Sequence, residues 1–216
     1  MPAGASEQSI LVVGAGPVGL TAALELARRG FKPRIIDKAS APAGQSRAIN
    51  LTPRTLDLLE QSGVTEGLLA AGNRIRRIEV VDGRARRLLT LRLERLRHRF
   101  PFWLVVPQSE TERLLTIALA ELGIEIEWNT ELMDIMWFGE RVEAVVANEA
   151  ASETVEPSVL IGADGAHSTV RDLSRIGFEG TSYPAVFALA DIRYAFPRDA
   201  GVATLDVFPG GAVPTV

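Results

Sequence analysis

Four apolar residues in a row, Ile10-Leu11-Val12-Val13, stand between Ser9 and Gly14, and a second apolar segment runs from Leu20 to Ala27 and closes on Gly30. The first has no polar alternation and is β-favouring, which predicts a strand buried on both faces, as in a parallel sheet. The second is built of helix formers and predicts a helix with a glycine cap. Arg34-Ile35-Ile36 predicts the next strand. A helix is expected from Thr52 to about Gln61, with Thr52 as N-cap, Pro53 at its first position and Gly63 as stop. From Arg74 to Arg99 the pattern alternates about Asp82-Gly83, a hairpin signal. A strand through Phe102 to Pro107 then leads to a helix from Glu110 to Leu122, with Ser109 and Glu112 spaced as a capping box and Gly123 as stop. Ile124 to Trp128 alternates, and Leu132 to Val146 predicts a hairpin turning at Gly139-Glu140, with Trp128 and Trp137 as sheet packing. Ser158 to Gly162 predicts a further strand, followed by a helix capped by Ser168. Beyond Gly180 the pattern turns to β, at Val186 to Tyr194 and Ala203 to Phe208, with a last hairpin turn over residues 208–213. Strand, turn and helix recurring in this order predict an α/β fold, a Rossmann-like domain with a parallel sheet plus β-hairpins.

The turn after the first strand reads Gly14-Ala15-Gly16-Pro17-Val18-Gly19. In a G-x-G-x-x-G turn the first glycine permits the reversal, the second lets a pyrophosphate approach the backbone, and the third lets helix and strand pack closely. Pro17 suits the first helical turn, where no N–H is needed. The free N–H groups and the positive end of the helix dipole then face a phosphate. Asp37 ends the second strand 18 residues after Gly19, positioned to accept hydrogen bonds from an adenosine ribose. The residues therefore point to an adenine dinucleotide. Asp164, at the carboxyl end of the strand before Gly165, sits where open α/β sheets bind ligands, although the same residues also read as a plain turn.

Composition narrows the classes. The 216 residues are 47% hydrophobic, enough for a packed core. There is no cysteine, which removes disulfides, thiolate metal sites and thiol nucleophiles and fits a reducing, cytoplasmic setting. A net charge of −4 gives no electrostatic case for nucleic acid. The ten arginines between Arg74 and Arg99 are assigned to the solvated face of a sheet. The apolar stretch at Ile10 to Leu24 is interrupted by Gly14, Gly16 and Pro17, too short and broken to span a membrane. His98 and His167 stand in different contexts, so no catalytic residue and no metal ligand is nominated.

Together these stretches resemble the class A flavoprotein monooxygenases, the aromatic hydroxylases with the p-hydroxybenzoate hydroxylase fold, nearest those acting on phenols and aromatic polyketides. The resemblance rests on Gly14 to Gly19, on Ser46-Arg47-Ala48 with Pro53 to Leu59, on Pro107-Gln108-Ser109-Glu110-Thr111-Glu112, and on Gly162-Ala163-Asp164-Gly165 with Ser168 and Arg171. It implies FAD as cofactor and NADPH or NADH as transient reductant. By resemblance, Gly14, Gly16, Pro17, Val18 and Gly19 hold the pyrophosphate. Asp37, with Lys38, meets the adenosine ribose, where a glutamate is usual in the family. Ser46 and Arg47 lie near the pyrophosphate or the isoalloxazine, Gln108 bonds the ribityl chain or its neighbourhood, backbone near Leu132 faces adenine, and Asp164 with Gly165 organises the site.

The resemblance further implies a division into an FAD-binding domain over residues 1–180, carrying an inserted hairpin at about 74–106, and the start of a β-sheet substrate domain over 181–216. The family's later Gly-Asp-Ala signature does not occur here, so the chain is expected to be truncated. For the family, reduced flavin reacts with oxygen to a C4a-hydroperoxide that hydroxylates a small aromatic ring, and the protein supplies placement and exclusion of water. The alternative is a truncated nucleotide- or FAD-binding protein without turnover, self-associated or completed by another chain.

Overall fold

The computed structural model describes residues 9–42, 50–181 and 199–215. The elements, in chain order, are β1 (Ile10–Val13), α1 (Pro17–Ala27), β2 (Arg34–Ile36), β3 (Asn50–Leu51), α2 (Pro53–Glu60), α3 (Thr65–Ala71), β4 (Asn73–Ile75), β5 (Arg77–Asp82), β6 (Arg87–Arg92) and β7 (Trp103–Val105). They continue with α4 (Gln108–Glu121), β8 (Ile126–Glu127), β9 (Glu131–Phe138), β10 (Arg141–Ala147), β11 (Ser152–Val155), β12 (Val159–Gly162), α5 (Thr169–Leu173), β13 (Val202–Phe208) and β14 (Gly211–Thr215). The expected strand at Val186 to Tyr194 lies outside the described residues.

β1 is the centre of a four-stranded parallel sheet of order β12-β1-β2-β8. Its alternate side chains enter two cores, because successive residues of a strand point to opposite faces. Ile10 and Val12 join Leu20, Ala23 and Leu24 of α1, Leu56 and Leu59 of α2, and Leu115 and Leu119 of α4. Leu11 and Val13 join Ile36 and the inner face of the antiparallel sheet β11-β10-β9, at Leu132, Ile135, Val142, Ala144 and Val146. The result is three layers: helices, parallel sheet, antiparallel sheet. Burial of a side chain such as Leu11, 1% exposed, contributes about 1.5–3 kcal/mol.

Two glycines set the distance between layers. A Cβ on Gly19 would lie 1.8 Å from the Gly14 carbonyl oxygen, and one on Gly14, whose φ is +104°, would lie 2.4 Å from that of Ala163. α1, β1 and the chain after β12 therefore meet at backbone contact. Arg34 fastens the sheet edge, donating Nε and Nη2 to the Glu127 carboxylate at 2.7 Å each and Nη2 to Glu153 Oε1 at 2.7 Å. The hydrogen bonds with Glu127 raise its pKa most, burial opposes them, and Glu153 adds to the rise.

Thr52 caps α2 as expected, its hydroxyl accepting from Thr55 N–H at 3.2 Å. The capping box expected at Ser109 and Glu112 does not form. α4 begins at Gln108, directly after Pro107, with no side-chain cap, and the Pro107 carbonyl accepts from Glu110 and Thr111 N–H. Proline at the N-cap fixes an extended entry and moves the helix start forward, so Ser109 falls inside the first turn and Glu112 turns inward. Trp128 packs against the main core, whereas Trp137, beside the β9–β10 turn, is 59% exposed and does not serve as sheet packing.

Strands β5 and β6 pair antiparallel, and β13 pairs parallel to β5 while β14 pairs with β13, giving a second mixed sheet of order β14-β13-β5-β6. Segments far apart in sequence thus share one sheet. Several of the arginines around it form ion pairs with carboxylates: Arg77 and Arg87 with Glu79, Arg86 with Asp82, and Arg99 with Glu60. Among the described residues, no helix is long and apolar enough to cross a membrane.

Gly19→Ala is expected to destabilise the fold by about 3 kcal/mol or more, since backbone rather than a pliable side chain opposes the added methyl. Urea denaturation with an unchanged m-value would measure it. A second expectation concerns Glu25 of α1. Burial raises its pKa, but hydrogen bonds from Ser62, Arg29 and Arg28 outweigh this and bring it from 4.5 to about 2. A depressed carboxylate pKa stabilises the folded state above the unfolded value, and that contribution is lost as pH falls through the folded value. Glu25→Gln should therefore cost about 1 kcal/mol at neutral pH, the scale of a partly exposed ion pair. Denaturation at a series of pH values should show the difference from the unsubstituted chain narrowing between 4.5 and about 2.

Candidate functional site: a cleft at the carboxyl ends of the parallel strands

β1, β2 and β12 all run out at one end of the sheet, and a cleft of about 590 Å³ opens there. Its floor is Val13, Gly14 and Gly16, with Ala163, Asp164 and Gly165 alongside. One wall comes from Asp37, Lys38 and Ala39 after β2, another from Thr130, Glu131 and Leu132 at the start of β9, and a third from Gln108 and Glu112 on α4. Open α/β sheets bind ligands at this location, where strand order reverses and helix N-termini converge.

The floor fits a phosphate. α1 is 11 residues long, starts with Pro17, and has no side chain capping its N-terminus. Beside it a Cβ on Gly16 would meet nothing within 4 Å, so the backbone at Gly16 is open to the cleft while Gly14 and Gly19 are closed by packing. Unfilled N–H groups, the positive end of the helix dipole and a bare backbone are what a pyrophosphate requires.

Two aspartates are held by the main chain. Asp37 Oδ2 accepts from Ala15 N–H at 2.6 Å and Oδ1 from Ala39 N–H at 2.8 Å. Asp164 Oδ1 accepts from the Ser168 hydroxyl at 2.5 Å and Oδ2 from Val170 N–H at 3.0 Å, while Ser168 Oγ accepts from Arg171 N–H at 3.0 Å. Asp37 thereby ties the glycine turn to the end of β2, and Asp164 with Ser168 caps α5. At the mouth, Lys38 Nζ stands 3.9 Å from Glu131 Oε1. On α4, Gln108 Nε2 donates to Glu112 Oε1 at 2.8 Å.

Of the residues nominated from sequence, Gly14, Gly16, Asp37, Lys38, Gln108, Leu132, Asp164 and Gly165 line this one cleft. Pro17, Val18 and Gly19 open α1, with Val18 71% exposed and Gly19 buried. Ser46 and Arg47 lie outside the described residues. Sequence reasoning did not nominate Ala39, Thr130, Glu131 or Thr169, and it gave Glu112 to helix capping. Thr130 is placed by a contact distant in sequence, its N–H donating to the Asp37 carbonyl at 3.0 Å. His167 is exposed and outside the cleft lining. His98 is engaged elsewhere, its Nε2 2.9 Å from Asp57 Oδ2 and its Nδ1 accepting from Phe100 N–H at 3.0 Å.

Fold and cleft together define a dinucleotide-binding α/β domain. Residues 7–205 match the FAD-binding domain family, and the chain belongs to that family. It is 42% identical to 6-methylpretetramide 4-monooxygenase of Streptomyces rimosus over 80% of this chain and 31% of that protein. It is 34% identical to the uncharacterized aromatic compound monooxygenase YhjG of Bacillus subtilis over 94% of this chain and 40% of that protein. Among solved structures, the flavin-dependent monooxygenase PieE in complex with FAD and substrate superposes with a TM-score of 0.72 at 25% identity, covering 83% of this chain and 34% of that one. The chain thus spans about a third to two fifths of the length of these relatives, in their N-terminal portion.

The double use of Asp164 generates a measurable expectation. Asp164→Ala leaves the Ser168 hydroxyl and Val170 N–H without their acceptor and should cost about 1–2 kcal/mol of stability, read from the thermal midpoint without any ligand.

Proposed function

We propose that the cleft holds FAD, and that the chain is the FAD-holding part of an NAD(P)H-dependent hydroxylase of small aromatic rings. The observation that carries this reading is the floor of the cleft. Gly16 is open where Gly14 and Gly19 are packed shut, at the uncapped N-terminus of α1, with Asp37 at one end of the same space and Gln108 at another.

In the proposed arrangement the pyrophosphate sits on the Gly14–Gly19 turn. Asp37, held by Ala15 and Ala39, keeps lone pairs for the adenosine ribose, with Lys38 beside it. Backbone at Leu132 faces adenine, Gln108 meets the ribityl side, and Asp164 with Gly165 closes the opposite wall. Ser46 and Arg47 are proposed to reach the pyrophosphate or the isoalloxazine. Bound FAD, reduced by NADPH or NADH, supplies the activation of oxygen for ring hydroxylation. The residues present bind and orient it, and no side chain here is assigned a proton transfer. Phenols and aromatic polyketides are the proposed substrate classes, because similar proteins are named for pentachlorophenol and for 6-methylpretetramide. The cytoplasm, with its nicotinamide pool, is the proposed compartment.

The two-domain division is also proposed, with residues 1–180 as the FAD domain and 181–216 entering the substrate domain. The mixed sheet β14-β13-β5-β6 is then the root they share. Leu88, Leu89, Leu91 and Val213 on that sheet are about half exposed, at 53%, 52%, 46% and 51%. Their exposure favours a second reading of assembly, in which further protein, from a second copy or a complementing chain, covers this sheet.

The test is the visible spectrum of the purified chain after FAD addition and desalting, with affinity from quenching of flavin fluorescence. Retained yellow colour is expected. Gly16→Val should weaken FAD by roughly tenfold or more, because the side chain enters the proposed pyrophosphate space. Its stability should change by about 1 kcal/mol or less, since the cost there is that of a poorer N-cap. Equal FAD affinity in both proteins would remove the pyrophosphate from this turn.

A further inference from the structure

Glu112 is 3% exposed and belongs to the wall of the cleft. The functional reading gives it no task, and a buried carboxylate near an anionic ligand is costly unless its oxygens are hydrogen-bonded. Gln108 and Glu112 stand four residues apart on α4, on the same face of the helix. Gln108 Nε2 donates to Glu112 Oε1 at 2.8 Å.

An amide side chain has two unlike ends, a donor NH₂ and an acceptor oxygen, of nearly equal size. A neutral neighbour that both donates and accepts would tolerate either orientation. A carboxylate only accepts, so it selects the NH₂ end, and a charge-assisted bond of this type is about twice as strong as a neutral one. The amide carbonyl is thereby directed away from Glu112.

We propose that Glu112 is a positioning residue: it locks the Gln108 side-chain amide in one orientation, so that Gln108 presents its carbonyl oxygen as an acceptor for the ribityl hydroxyl groups of FAD. The inference rests on the reading that FAD occupies this cleft. Glu112 itself touches no reacting atom. Its buried carboxylate, which can only accept, holds the NH₂ end of the amide.

The experiment uses the whole 216-residue chain. FAD dissociation constants and the circular dichroism of bound flavin are measured for Glu112→Gln, Gln108→Ala and the double variant, and the side-chain amide resonances of Gln108 are recorded without ligand. Glu112→Gln keeps the volume but lets either amide end face Gln108, and should weaken FAD by about tenfold, the scale of one charge-assisted hydrogen bond. It should also change the flavin dichroism and shift the Gln108 NH₂ resonances in the ligand-free chain. In the Gln108→Ala background the same substitution should add little, because its route of action is gone. If Glu112→Gln lowers stability enough to obscure binding, Glu112→Asp, which keeps an acceptor-only group, provides the comparison and should retain the dichroism of the unsubstituted protein. Additive losses in the double variant, or unchanged affinity and dichroism in Glu112→Gln, overturn the inference while leaving FAD in the cleft. An unsubstituted chain that takes up no FAD overturns the functional reading and the inference with it.

Discussion

Backbone contact among Gly14, Gly19 and Ala163 is the constraint from which the rest of the molecule is set out. With a Cβ site only 1.8 Å from the Gly14 carbonyl at Gly19, and 2.4 Å from the Ala163 carbonyl at Gly14, neither position accepts a side chain. That closeness brings the start of α1 against the ends of β1 and β12. The open end of the parallel sheet then becomes a cleft with a helix N-terminus in its floor, and Gly16, placed between the two packed glycines, is the residue whose missing side chain leaves room for a ligand. Packing and binding are divided among three glycines of a single turn. The division follows from where each Cβ would point.

The sequence was most informative where one local rule sufficed. The unbroken apolar run of β1 marks burial on two faces, and its alternate residues do enter two separate cores. Thr52 and Ser168 announce helix starts by chemistry confined to three residues, and both caps form. α3 was not read because Gly67 interrupts its helix-forming run. A Cβ there would meet the Leu114 side chain at 2.9 Å, so the residue that hides the helix from its pattern is the one that lets it approach α4. β11 was missed for the opposite reason: Ser152, Glu153 and Thr154 are exposed edge residues without alternation, and their place is fixed by pairing with β10 and by the Arg34 ion pair.

Within the cleft, eight of the nominated residues converge because each stands beside a strand end or helix start that sequence can mark. What sequence could not mark is partnership across such junctions. Asp37 was read for what it offers a ribose, yet its carboxylate also holds Ala15 N–H, 22 positions earlier. Ser109 and Glu112 have the spacing of a capping box, and spacing alone cannot tell whether a glutamate turns back to its own helix start or into a cleft. Pro107 decides it, by fixing the backbone entry so that α4 starts at Gln108.

The cleft also has an electrostatic problem whose solution explains its construction. Among the described lining residues, Asp37, Glu112, Glu131 and Asp164 are acidic and Lys38 alone is basic, an adverse balance for a diphosphate if side-chain charge governed binding. Instead, three of the four acids are engaged by donors on the protein. Asp37 takes two backbone N–H groups, Asp164 a hydroxyl and a backbone N–H, and Glu112 the Gln108 amide, while Glu131 stands near Lys38. These bonds draw the acids' field into the protein framework and leave the floor to backbone N–H groups and the α1 dipole, whose positive end is fixed in direction and requires no reorganisation. In the proposed binding mode, charge is therefore sorted along the ligand: fixed dipoles meet the diphosphate, and the anchored Asp37 carboxylate stands where ribose hydroxyl groups would donate. An anionic cofactor can then be held by an acid-lined cleft, because the acids are tied to the protein and the main chain is left for the phosphates.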